Sequence, residues 1–268
     1  MDSFVKWLVN NFDSVFDALG ANILRFLTTV DFVLQLLPWW FFILIVFFMG
    51  WRIKKLSSGI GFAFMLLIIG SFGLWTLMIE TLAVILTSVV ISVMIGIPIG
   101  ILMAYKSNIE TAIRPILDGM QTMPSFVYLI PAMLLFGLGR VSAVFATTIY
   151  AIVPVIRLTN LGIRNVSKEM VEAAHSFGSS PWQILYKVEL PQALPTIMTG
   201  INQTIMMAMA MVVIASMIGA PGLGREVLVA INRIDIAKGT EAGLAIVILA
   251  IIIDRLTQGV ADKFKVEK

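Results

Sequence analysis

The sequence predicts an all-α membrane protein with about seven transmembrane helices and an amphipathic helix at its N-terminus. Three observations predict it. The 268 residues are 59% hydrophobic and only 13% charged, and a soluble fold this apolar would leave large hydrophobic patches in water. The few charges are segregated: Glu80 is the sole charge between Leu56 and Tyr105, and residues 196–224 and 242–253 carry none. Uncharged runs of about 20 residues match the thickness of a bilayer core. These runs are continuous, whereas membrane β-strands alternate apolar and polar residues. Helices, which satisfy their own backbone in lipid, are the expected solution.

Residues 1–37 form the first element. On a helical wheel Asn10, Asp13, Asp17, Gly20, Ala21, Thr28, Asp31 and Gln35 share one arc, and Phe4, Leu8, Phe12, Phe16, Leu19, Ile23, Leu27, Val30 and Leu34 the opposite arc. An amphipathic helix broken near Gly20, lying in the membrane interface or packed on the bundle, is expected; a first transmembrane helix with a polar face is the alternative. Its acidic stripe gives no attraction to anionic lipid.

Residues 38–78 read as accessory spans. Pro38-Trp39-Trp40 opens an apolar run to Trp51, bracketed by tryptophans as in an aromatic belt, and Arg52, Lys54 and Lys55 close it. The positive-inside rule puts that basic cluster in the cytoplasm. A second run covers 59–78. Residues 79–262 form the core, with spans expected at 80–105, 123–138, 139–157, 196–219 and 242–260. Threading these from a cytoplasmic Lys54 places the loops near 106–122 and 158–195 and the tail to Lys268 inside. Lys106, Arg114, Arg157, Arg164, Lys168 and Lys187 agree with that topology. The N-terminal segment and the loop 220–241 fall outside. Pro98, Pro124, Pro131 and Pro154 are expected to kink spans, and Gly96 and Gly100 to allow close helix approach. Glu80 and Arg140 read as interfacial charges at span ends.

The loop 158–195 is too long and polar for a plain connection. Ser167 reads as the N-cap of a short helix that Gly178 ends. Ser180, with Pro181 in the first turn, restarts a second helix, which Leu190-Pro191 and Pro195 are expected to close before the next span. The result is a cytoplasmic helix-turn-helix knob.

Composition also excludes functions. The net charge of +3 and pI near 9.2 do not indicate nucleic-acid binding, because the basic residues sit at the ends of apolar runs. Without cysteine the chain forms no disulfide or thiolate metal site, and a single histidine, His175, gives no histidine metal site. No G-x-x-x-x-G-K-[ST] stretch is present, so ATP hydrolysis by P-loop chemistry is not expected of this chain. No cleaved signal peptide and no fused soluble domain are expected.

Glu172-Ala173-Ala174, then Gly178 after three residues, then Val188-Glu189-Leu190-Pro191 resembles the "EAA" signature of permease subunits in bacterial ABC importers, with Val188 where isoleucine is common. Asp118 to Pro131, Arg157 to Arg164 and Val213 to Gly224 are similar to glycine betaine/proline betaine permeases, a likeness covering roughly 80–260. The N-terminal segment is similar to the scaffold region of osmoregulatory betaine importers. The resemblance implies a type I ABC importer bundle that takes up compatible solutes by alternating access. It implies that Glu172, Ala173, Ala174, Gly178, Leu190 and Pro191 couple the permease to a separate ATPase, present in two copies and carrying the ATP and Mg. It further implies no cofactor on this chain, a permease homodimer with its pathway on the two-fold axis, an extracytoplasmic solute-binding protein, and a multi-pass location in the bacterial inner membrane.

A quaternary ammonium substrate favours aromatic faces. Phe126 and Tyr128, with the polar Asn202, Gln203 and Thr204 and an adaptable lining of Met206, Met207, Met209 and Met211, are therefore the candidates for the substrate pathway. By resemblance Pro221, Gly222 and Gly224 belong to an external gate. Choline, carnitine or methionine are alternative substrates, and a self-sufficient secondary transporter is the alternative class.

Overall fold

The computed structural model describes residues 2–263, with side chains from residue 11 onward. The side chains of Phe4, Leu8 and Asn10 and the tail 264–268 lie outside the described residues. The described chain is helical throughout, with no strand. Five of its helices are long and apolar enough to cross a membrane, or six when one bent pair is counted as a span.

Helix α1 (Asp2–Leu36) leaves helical geometry at Phe12 (φ −117°, ψ 16°). The expected break at Gly20 is absent, because Gly20 sits under the Phe136 ring, 3.3 Å from where a Cβ would stand. The helix is docked on the bundle: Leu27 and Asp31 are buried, while Val15, Phe32, Val33 and Leu36 remain exposed. One edge of the polar stripe therefore faces protein. Helices α2 (Trp39–Ile53) and α3 (Leu56–Ser71) pair with each other. At 15 and 16 residues, each is shorter than the roughly 30 Å bilayer core at about 1.5 Å per residue. The second expected run ends early at a turn through Gly73 (φ +70°), and α4 (Trp75–Tyr105) starts there.

Two expectations for 106–138 are corrected. The segment taken as a loop is α5 (Ser107–Thr122). Its charges recur every four residues, and Glu110 and Asp118 reach Arg164 and Arg157 at 2.7 and 2.5 Å; its apolar stripe, Ile109, Ile113, Leu117 and Met120, packs on Met103, Val153 and Ile156, and a stripe that narrow does not register in mean hydropathy. The expected span 123–138 is a 3₁₀ turn (Ser125–Tyr128) followed by a short α6 (Leu129–Phe136). It is bent 112° from α5, because Pro124 breaks the helix before it.

Helix α7 (Arg140–Arg164) lies between α4 and α10 (Leu190–Ala215). A Cβ on Gly96 would stand 2.5 Å from Val155 Cγ1, and one on Gly100 2.6 Å from Thr159 Cβ. Across the other interface, a Cβ on Gly200 would meet Leu158 Cβ at 2.9 Å. The expected close approach at Gly96 and Gly100 is present, and it sets the interhelical distance. After α10 come α11 (Leu223–Arg233) and α12 (Ile236–Lys263). At one end of the bundle Arg140 bridges Asp31 at 3.0 Å and Glu80 at 3.2 Å, joining α1, α4 and α7. At the other end Lys263 Nζ donates to the Arg52 carbonyl at 3.2 Å.

Candidate functional site

The loop that follows α7 folds as two short helices. Ser167 caps α8 (Lys168–Ser176), accepting from the Met170 amide at 3.4 Å. Its hydroxyl donates to Glu169 at 2.5 Å and holds that carboxyl below its ordinary pKa. The helix closes in a Schellman motif: the Gly178 amide donates to the His175 carbonyl at 2.9 Å and the Ser179 amide to the Ala174 carbonyl at 3.1 Å. Gly178 takes φ +76°, and a Cβ there would meet nothing within 4 Å, so the demand on this residue is conformational. Ser180 and Gln183 form a reciprocal capping box for α9 (Pro181–Ile184).

The second helix does not stop at Leu190-Pro191. A π turn (Leu185–Glu189) links α9 to α10 without a break. Proline normally clashes with the carbonyl four residues back. Here that carbonyl belongs to Lys187, inside the widened turn, so Pro191 enters the helix at its second residue and Pro195 follows inside it. Leu190 and Val171 pack on Ile163, Val166 and Leu185, which mounts the knob on the ends of α7 and α10.

Glu172 and Ala173 are exposed and Ala174 is half-buried. On the same loop Phe177, Trp182 and Tyr186 stand 90%, 78% and 74% exposed. Such aromatic exposure on a polar loop marks a contact surface. The sequence reading missed these three; the signal was present in Trp182 and Tyr186, four apart on one helix face. Behind α8, Glu172, Lys168, Arg164, Tyr105 and Glu189 line a cleft of about 260 Å³.

The five pathway candidates are not brought together. Phe126 is exposed and Tyr128 buried. The Tyr128 hydroxyl donates to the Met120 carbonyl and its ring lies edge-on to Tyr150 at 5.6 Å. Asn202 turns to α12, donating to Asp254 at 3.1 Å and accepting from Thr257. Gln203 faces outward. Thr204 is fully buried, and its hydroxyl has no partner. Consecutive helix positions point about 100° apart, so these three could not share one wall. Met209 and Met211 are buried in the core, while Met206 is exposed. Asp254, the carboxylate at the centre of this network, also escaped the sequence reading.

The segment at Pro221 is a packed turn. Gly222 takes φ +102°, and Thr81 and the Leu77 carbonyl occupy the space a Cβ would need. The Leu223 amide donates to Thr81 Oγ1 at 2.8 Å, and Gly224 lies 2.9 Å from Val213 Cα by the same measure of a missing Cβ. The turn thus joins the start of α4 to the end of α10.

A model of the binding-protein-dependent transport system inner membrane component family matches residues 96–265. The chain belongs to that family. It is therefore a non-catalytic permease, and ATP hydrolysis is the work of a separate ATPase subunit. The permease is 48% identical to the glycine betaine/carnitine transport permease protein GbuB of Listeria monocytogenes, over 100% of this chain and 96% of that one. It is 45% identical to the glycine betaine/proline betaine permease ProW of Escherichia coli, over 96% of this chain and 72% of that one. Among solved structures it is similar to inward-facing forms of the MetNI methionine ABC transporter, with a TM-score of 0.64 at 21% identity. That match covers 70% of this chain and 94% of the other, and it establishes the type I importer bundle as the fold.

Proposed function

We propose that this permease forms the membrane pathway for glycine betaine-type compatible solutes and couples it to its ATPase through α8, the Gly178 turn and α9. The observation that carries the coupling is the knob itself. It has a Schellman turn and a capping box, and it presents exposed Glu172, Phe177, Trp182 and Tyr186. Leu190 and Pro191 lie where the knob enters α10, so movement of the knob is delivered to a core span. The substrate class rests on the names of the relatives, which are glycine betaine permeases, one also named for carnitine and one for proline betaine.

Two ATPases, each needing one knob, call for two permeases, and a homodimer supplies them. An extracytoplasmic solute-binding protein delivers the solute. The knob, the Arg52 cluster and the C-terminus face the cytoplasm, and the Arg140 cluster with the end of α1 faces outward. Residues 1–37 act as a scaffold and 38–78 as accessory helices; the matched family range begins beyond both, at residue 96. Pro221, Gly222 and Gly224 tie α4 to α10 at the outer end, the position an external gate requires. Phe126 and Gln203, exposed on the single chain, remain the pathway candidates that a dimer would enclose.

The test is uptake by proteoliposomes holding the permease with its ATPase and binding protein, using labelled glycine betaine, proline betaine and carnitine. ATP-dependent glycine betaine uptake, lost in Glu172→Ala while the complex still assembles, is the expected result. Ion-gradient-driven uptake by the permease alone would overturn the reading.

A further inference from the structure

Glu189 is buried and closes the π turn that leads from α9 into α10. Its carboxylate accepts a hydrogen bond from the hydroxyl of Tyr105, the last residue of α4. Both residues line the cleft whose opposite wall is α8, with Lys168 and Glu172. Arg164, the cation nearest in that cleft by sequence to α7's end, is engaged elsewhere: it pairs with Glu110 at 2.7 Å and donates to Asn160 and to the Met103 carbonyl, each at 3.0 Å. The Tyr105 hydroxyl donates the hydrogen bond that Glu189 receives among the described residues. A buried carboxylate without such a partner is strongly disfavoured, and π turns are costly elements that persist where they serve a site.

We propose that Tyr105 and Glu189 form a positioning latch, tying the end of α4 to the π turn so that displacement of the knob moves α4 and α10 as one unit. Neither residue touches solute or nucleotide; both act through the helices they join. The latch rests on the coupling role proposed above. Without it, α8 and α9 reach α4 only through apolar packing of Ile97, Ile101 and Ala104 on the cluster of Ile163, Leu185 and Ile197. Such packing is non-directional and slides more readily than a hydrogen bond to a buried charge.

The experiment compares wild type with Tyr105→Phe and Glu189→Gln in the complete transporter in proteoliposomes, measuring glycine betaine taken up per ATP hydrolysed. Tyr105→Phe keeps the ring and removes only the donor. The expected result is retained assembly and ATPase turnover with uptake per ATP lowered about tenfold, the factor for losing one hydrogen bond to a charged group. Glu189→Gln keeps an acceptor for the Tyr105 hydroxyl and should retain more coupling than Tyr105→Phe. The double variant should be no worse than Tyr105→Phe alone, because once the Tyr105 hydroxyl is gone the side chain at 189 has no bond to it left to lose. An unchanged ratio in Tyr105→Phe overturns the latch. So does a fall in ATPase and uptake together, which marks a merely structural contact. If Tyr105→Phe does not assemble, Glu189→Leu, which removes the acceptor at similar volume, decides by the same ratio, and wild-type coupling there overturns the latch. Absence of ATP-driven uptake in the wild type is a different failure, that of the coupling role itself.

Discussion

Gly178 separates two explanations of why a position is glycine, space and backbone conformation, and the structure gives the numbers. Its φ is +76°, and a Cβ would find no atom within 4 Å. Substitution therefore meets no steric cost from neighbours within this chain. An L-residue in the left-handed region costs roughly 1–2 kcal/mol, Asn least because its short polar side chain tolerates it. A β-branched residue is the worst tolerated there. An energy of 1–2 kcal/mol lowers the population of the Schellman turn by a factor of about 5 to 30. If the turn sets the angle of the knob against the ATPase, coupled uptake should fall in the order Asn, Ala, Val, with Gly178→Val losing at least about tenfold. The assay is ATP-driven uptake in proteoliposomes normalised to assembled transporter. Equal loss in all three variants would show that the partner needs a bare Cα at this point and would refute the conformational reasoning. No loss in Gly178→Val would refute it as well.

Other outcomes follow from the packing. Gly100→Val should push α4 from α7, since a Cβ already lies 2.6 Å from Thr159 Cβ and 2.7 Å from the Ile156 carbonyl. The expected loss is about 1–3 kcal/mol or more, read as a lower melting temperature in detergent, whereas Gly61→Ala, where a Cβ meets nothing, should leave it unchanged. Arg140→Ala leaves Asp31 buried with Gln35 as its remaining hydrogen-bond partner at 2.9 Å. Because Arg140 is 36% exposed, the loss belongs near about 1 kcal/mol, and Asp31→Asn in the same background should recover part of it. Trp182→Ala with Tyr186→Ala should weaken capture of the ATPase by at least about 30-fold, the scale of an interface hot spot of about 2 kcal/mol, without changing the melting temperature of the isolated permease.

Local rules were enough to read much of the knob. The caps at Ser167 and Ser180 and the helix-ending Gly178 depend on contacts within four residues, and they stand where the chain order puts them. Prolines were harder to read. Pro191 was expected to stop a helix because the rule assumes an α-helical carbonyl at position 187, and the π turn moves that carbonyl aside. The helix α5 was invisible to mean hydropathy because its apolar face is one narrow stripe, Ile109, Ile113, Leu117 and Met120, set among charges whose partners, Arg157 and Arg164, lie 39 and 54 residues away. (The second separation is the interval from Glu110 to Arg164.) Asn202, Gln203 and Thr204 were grouped by polarity, yet helical geometry sends them to α12, to the surface and into the core.

By itself the sequence determined the class of protein, the segregation of its charges to the ends of apolar runs, and the turn chemistry of the knob. Each of these depends on the solvent a residue meets or on hydrogen bonds within one turn, and both are written locally. Only the tertiary structure decided where α1 docks, that Arg140 gathers Asp31 and Glu80, that Asp254 engages Asn202, and that Tyr105 reaches Glu189 across 84 residues of chain. Those pairings are set by which helix faces meet, and that depends on the close approach at Gly96, Gly100 and Gly200, a property of three helices together.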